Sequence, residues 1–484
     1  MADALAAMLS FPPDNVDKLS PKDYDRAMHA HMKIMDKTTQ WTKPVDKQNI
    51  LDLLNPTLNS IPYLYALIEH IKAAGKDKTR LDALLDRALI FFALFDPVQV
   101  RYVGASWVMV LGWVMDRLRA PAIPNLTPIS TAILRLDPTA GTFTTNHLYF
   151  LRACLSSAVP SQALPILDKN IYAFPTIPPK NVPEDLLSEE HELSNAFITT
   201  KNGFTDKVQP DLILEYYLLG AHVYIGQRNW TRARLFLESV ILTPSQQHAT
   251  SALQVEAYKK WVLVGLLAEG KSYPLPRTHD TVVMKSIRLV AKPYDVLAEA
   301  FEKREWRKYQ AEMDVGAQVW HDDGNLRMVK EAGDALLKYR VIDLQKTFAA
   351  LPVSRVASHM GFTADATLHM VTDMIRYGAL NASITPGSTS GEAVLRFHST
   401  DVGPSSTVAQ EGELAAQTKR IEDLVTFVRD ADRRLQLTKE YVEHLKRVKR
   451  QGTGPDGDLA DQMDLTWDAP VPGQDDGDED IMAA

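Results

Sequence analysis

The sequence predicts an all-α superhelical array of helical hairpins, tetratricopeptide-like in part, followed by a small helix-and-ribbon subdomain and one C-terminal helix. Three observations carry that prediction. Up to about Ala350 the apolar residues recur with a period near 3.6, the breaks between periodic stretches are Pro-rich or polar, and beyond Ala350 short helical and strand-like runs take over. The 484 residues, 45% hydrophobic and 24% charged, are enough for a real core spread over about two to four structural units. A single cysteine, Cys154, excludes internal disulfides and any site with two cysteine ligands. The start, MADALAAMLSFPPDN, has no basic stretch followed by an apolar run. The longest apolar stretch, Val103 to Met115, falls short of the roughly 20 residues that span a bilayer. A soluble intracellular protein without membrane contact is expected.

Residues 1–200 read as N-terminal helical repeats, with Leu64, Leu67, Ile68 and Ile71 sharing one helical face. Residues 201–350 continue the array, as in the stripe Leu253, Ala257, Trp261, Val264 and Ala268. The Pro-rich PAIPNLTP and the polar PPKNVPEDLLSEE suit connections between stacked helices. One stretch carries a repeat signature. In YYLLGAHVYIGQRNWTRARLFLESVILTP, Tyr216, Leu219, Gly220, Phe236 and Pro244 stand at tetratricopeptide spacings, while Tyr224 and Ala233 come one place late. A tetratricopeptide-like unit and an ordinary hairpin with a small residue at its crossing both fit.

Residues 351–398 follow another grammar. Leu351-Pro352 is expected to end a helix, and Val353, Val356, Ala357 and Met360 then share a face. Thr363 caps a second helix with apolar Leu368, Val371, Met374 and Ile375, which Gly378 stops. Two strand-like runs, LNASI and AVLRF, are joined by TPGSTSGE. Helix, turn, helix and two-stranded ribbon is the order of a winged helix. Residues 399–412 read as a linker and 413–450 as an amphipathic helix. Its heptad a positions are Ile421, Val428, Leu435 and Val442, and its d positions Leu424, Ala431, Thr438 and Leu445. Such a stripe must pack on something, either the rest of this chain or another protein.

Charge is distributed unevenly. Ten of the 61 acidic residues lie in 451–484 with no Lys or Arg, so the preceding chain holds 53 basic against 51 acidic residues. The acidic tail is expected to be disordered, and a nearly neutral body makes proteins better partners than nucleic acid. The expected second winged-helix helix, with Asp365 and Asp373 against Arg376, lacks the clustered cations that phosphate contacts need. Lys446 to Arg450, KRVKR, fits a nuclear import signal and a cationic last helical turn equally well.

Chemical motifs fail on context. GLLAEGKS, Gly265 to Ser272, satisfies the phosphate-loop pattern, yet helical residues precede it and Pro274 and Pro276 follow, so Gly270 reads as a helix C-cap. His29 and His31 resemble half of a zinc isopeptidase set, but the serine that should follow is missing, and an amphipathic helix with two exposed histidines is expected. Cys154 lies in the helix-like FLRACLSS and reads as a small buried hydrophobe. No catalytic, cofactor or metal residues are assigned.

Helical repeats running into a winged helix and a terminal helix resemble the PCI-domain family of proteasome lid, COP9 signalosome and translation initiation factor subunits. EAYKKWVLVGLLAEGK, preceded by the hairpin quoted above, is similar to the signalosome's subunit 3 family over roughly residues 210–450. The first 200 residues agree with it only in being helical. The resemblance implies a non-catalytic scaffold of the complex that removes Nedd8 from cullin-RING ubiquitin ligases, located in nucleus and cytoplasm. Its partners would be other PCI subunits and the zinc isopeptidase subunits, with cullin ligases reached through the complex. It also implies two assembly surfaces: the ribbon run Ala393, Val394, Leu395, Arg396 and Phe397, whose strand edge a neighbouring ribbon would extend, and the helical stripe Ile421, Leu424, Val428, Leu435, Val442 and Leu445. A proteasome lid or initiation factor subunit, a winged-helix nucleic-acid adaptor and an ATPase at Gly265 to Ser272 are the competing readings.

Overall fold

The computed structural model describes residues 2–13, 18–45, 48–175, 186–191, 193–244, 249–387, 392–398 and 404–436, with residues 441 and 444. The chain divides into two compact units, Met1–Phe348 with Arg355–Thr367, and Ala349–Ser354 with Leu368–Ala484.

The first unit is helical, as the periodicity requires. Helix starts follow local chemistry: Ser20 caps Pro21–Lys37 with Pro21 in the first turn, and Asp77 caps Lys78–Leu94. Ser251 and Gln254 form a capping box on Ala252–Glu269. The hairpin of Pro210–Gly226 and Trp230–Leu242 has the interlock its spacing predicts. A Cβ on Gly220 would lie 2.6 Å from Phe236 Cε1, so only glycine admits this approach of ring to backbone. Tyr224, one place late in the pattern, is buried and donates to Asp168 Oδ1 at 2.7 Å.

Aromatic rings fill the N-terminal half of this unit. Trp107 meets the edges of Phe92 and Phe204 at 5.9 and 6.0 Å, and Tyr63 stacks on Phe91 at 5.7 Å. Residues 186–191 are not helical. Arg101 fastens them by donating to the carbonyls of Leu187 and Glu189 at 2.7 and 3.0 Å, with its guanidinium 4.1 Å from the centre of the Phe197 ring.

The second unit holds an antiparallel sheet of β1 (Ala350–Pro352), β2 (Ala382–Thr385) and β3 (Val394–Phe397), in the order β1-β3-β2. The sequence suggests only two of these strands. Leu351-Pro352, which reads as a helix end, instead pairs Leu351 with Leu395 and Pro352 with Val394. Between β1 and β2 the chain passes through helices Val353–Met360 and Ala364–Arg376. The last described helix is Pro404–Gln436, about 50 Å long at 1.5 Å per residue. It begins inside the expected 399–412 linker, because Pro404 suits a first helical turn and Ser405, Ser406 and Thr407 do not prevent one.

Candidate assembly surfaces

The long terminal helix carries its apolar residues in the open. Ile421, Leu424 and Val428 are 61, 55 and 61% exposed, and Leu435 is 52% exposed. Leu414 one heptad earlier, Val425 and Phe427 are exposed as well. The heptad pattern marks the a and d positions but misses the e and g residues Val425 and Phe427, which widen the stripe. Val442 and Leu445 lie outside the described residues. Every residue from 414 to 435 whose exposure is described is open to solvent, so the apolar stripe is uncovered over that length.

In the sheet, the expected open edge along Ala393–Phe397 is corrected. β3 is the central strand and pairs on both sides, so its N–H and C=O groups are spent. Phe397 N donates to Ala349 O and His398 N to Asn381 O. By the alternation of antiparallel ladders, residues 393, 395 and 397 therefore face β1, and 394 and 396 face β2. The outward groups on β2 are those of Ala382 and Ile384. On β1 they are those of Ala350 and Pro352, and Pro352 has no N–H to offer. Of the two edges, β2 is thus the one with a full set of outward N–H and C=O groups. Within the run, Leu395, Ala393 and Phe397 are buried and Arg396 is exposed.

The chemical motifs are placed as follows. Gly265 lies inside helix Ala252–Glu269, and Gly270 is the left-handed C-cap at φ 70°. A Cβ there would lie 2.7 Å from the Tyr339 ring, and the Gly270 carbonyl accepts from Arg304. Ser272 N is bound to Glu302 Oε1 at 2.7 Å, which puts a carboxylate where a phosphate would need to be. His29 is exposed, but His31 is not. It is 4% exposed, beside Phe11 and 3.3 Å from Ser10 Oγ, and burial pushes its pKa down to about 4. The expectation of two exposed histidines fails because His31 follows Met28 and precedes Met35 on the inward face. Cys154 is buried, and burial raises its thiol to about 12. Among the described residues no three His, Cys, Asp or Glu side chains group to hold a metal, and no helix is long and apolar enough to cross a membrane.

Comparison with known proteins locates the similarity. A family model described as COP9 signalosome complex subunit 3, N-terminal helical repeats, matches residues 22–283. A COP9 signalosome complex subunit 3 of Emericella nidulans is 32% identical over 369 residues, 74% of this chain and 74% of its own length. That of Neurospora crassa is 25% identical over 462 residues, 92% of either chain. The match from residue 22 onward covers a region in which the sequence alone shows only helical character.

Proposed function

The chain belongs to the COP9 signalosome subunit 3 family, and on that basis we propose that it is a non-catalytic scaffold subunit of the signalosome, the complex that removes Nedd8 from cullin-RING ligases. The open apolar stripe from Leu414 to Leu435 is the observation that carries the scaffold role. At roughly 25 cal/mol per Å², each Leu, Ile or Val that a partner helix covers contributes on the order of 1.5–3 kcal/mol before association costs. Zinc catalysis belongs to a different subunit in this reading.

The helices and sheet of residues 350–398 act in it as the winged helix of a PCI domain, with the β2 edge at Ala382 and Ile384 extended by a neighbour's strand. Other PCI subunits and the zinc isopeptidase subunits are the partners, cullin ligases are met through the complex, and the assembly is shared between nucleus and cytoplasm.

The test is native purification followed by mass spectrometry, with wild type beside Leu424→Asp/Leu435→Asp. Wild type should bring down signalosome subunits and cullins, and the double variant should be lost from them while eluting as a folded chain. Recovery of proteasome lid or ribosomal subunits instead, or a double variant that stays in the complex, rejects the proposal.

A further inference from the structure

A chain of polar side chains crosses the C-terminal half of the repeat unit. It starts at His222, whose Nε2 is 3.5 Å from Glu256 Oε1, and the same carboxylate oxygen is 3.3 Å from Lys260 Nζ one turn along Ala252–Glu269. Lys260 Nζ donates to Asn325 Oδ1 at 2.8 Å, and Asn325 Nδ2 donates to Tyr294 OH at 2.8 Å. The Tyr294 hydroxyl donates to Asp323 Oδ2 at 2.8 Å, and Lys259 Nζ donates to both Asp323 oxygens at 2.7 and 2.8 Å. Its members come from Pro210–Gly226, Ala252–Glu269, Lys292–Glu302 and the turn before Leu326–Gln345. Lys260 is 7% exposed, Asn325 1% and Tyr294 fully buried. Apolar rings surround it: Trp320 meets Tyr294 edge-on at 4.8 Å, and Trp261 follows Lys260 in the core.

Such a chain adds little net stability, because taking an ammonium out of water costs about as much as its pairing returns. What it does strongly is penalise every other arrangement. Sliding Ala252–Glu269 one turn, about 5.4 Å, past its neighbours would strand the Lys260 ammonium away from Asn325 and take Lys259 from Asp323, while the Tyr294 hydroxyl keeps its bonds to Asn325 and Asp323.

We propose that the chain from Glu256 to Lys259 is a register lock: it fixes which turns of successive helices meet in this half of the array, while packing supplies the stability.

The experiment compares the full chain with Asn325→Leu and with Lys260→Met/Tyr294→Phe/Asn325→Leu. Asn325 makes no side-chain bond to the helix it precedes, so its loss removes no cap. The single variant takes away the ammonium's nearer buried acceptor and leaves it only the Glu256 carboxylate at 3.3 Å, and its melting temperature should fall by about 5 °C or more. The triple variant should melt within about 2 °C of wild type or above it. Its amide exchange across Ala317–Gln345 should nevertheless be at least about tenfold faster, as alternative registers become accessible. A triple variant that melts as low as the single one would show that the polar chain supplies stability itself. Wild-type exchange in a stable triple variant would show that packing alone sets the register. Either result overturns the proposal.

Discussion

Trp261 and Phe427 are large apolar residues on long helices, yet one is 1% and the other 58% exposed. The helix around Trp261 is buried on nearly every side, from Gln254 to Leu266, because neighbours cover it within its own chain. The helix around Phe427 carries an apolar stripe among many charged residues and has no such cover over its described residues. A large apolar residue at a helical-repeat position does not by itself show that its helix is covered. For the first helix the complementary surface is encoded in the same chain; for the second, the proposed function assigns it to another.

That contrast is sharpest in stability. Trp261→Ala should cost about 4 kcal/mol, since it removes a buried ring that stacks on Tyr258 at 5.8 Å and donates to Glu238 at 3.2 Å. Thermal denaturation of the isolated chain checks it. Gly220→Val should cost somewhat less, about 2–3 kcal/mol, because Tyr217 and Tyr224, with ring centres 5.2 and 5.1 Å from that of Phe236, prevent it from yielding to the new side chain. If Val is accepted without loss, the interlock is looser than described.

A third prediction concerns acid. Contact with His222, together with the Lys260 ammonium, holds the Glu256 carboxyl down at about 2, against 4.5 when unperturbed. The folded chain thus holds fewer protons than the unfolded one between these values, so the stability Glu256 contributes is complete above pH 4.5 and drains away as pH falls towards 2. Glu256→Gln should flatten that part of the stability profile, and equal acid sensitivity of both proteins would remove Glu256 as a cause. Smallest of all should be the effect of Leu424→Asp/Leu435→Asp on the isolated chain, within about 0.5 kcal/mol. A larger loss would mean that the stripe is covered from within.

The helical array is legible in the sequence because burying one face of a helix imposes a period on the residues themselves. The tetratricopeptide-like spacing likewise sets Gly220 against Phe236, the approach at which a Cβ finds no room. At the terminal helix, Ile421, Leu424, Val428 and Leu435 follow from heptad spacing, whereas Val425 and Phe427 fall outside an a/d template. The strand β1 is not legible. Three residues ending in proline carry no alternation, and their partner lies some 40 residues further on, from Val394 to Arg396. The burial of His31 escapes a pattern reading because a polar ring on an inward face leaves the apolar periodicity around it almost unchanged. Family membership is legible in the hairpin from Tyr216 and in EAYKKWVLVGLLAEGK, both inside the matched residues 22–283, whereas the matched residues before about 200 show only a helical period.

Pro352 gives the sheet a handedness of growth. With its amide nitrogen closed off and β1 only three residues long, an added strand would find a full set of backbone partners only beside Ala382 and Ile384. A strand added there uses up the sheet's one fully furnished edge, and a back-to-back pairing of two β1 strands would have little to hold it.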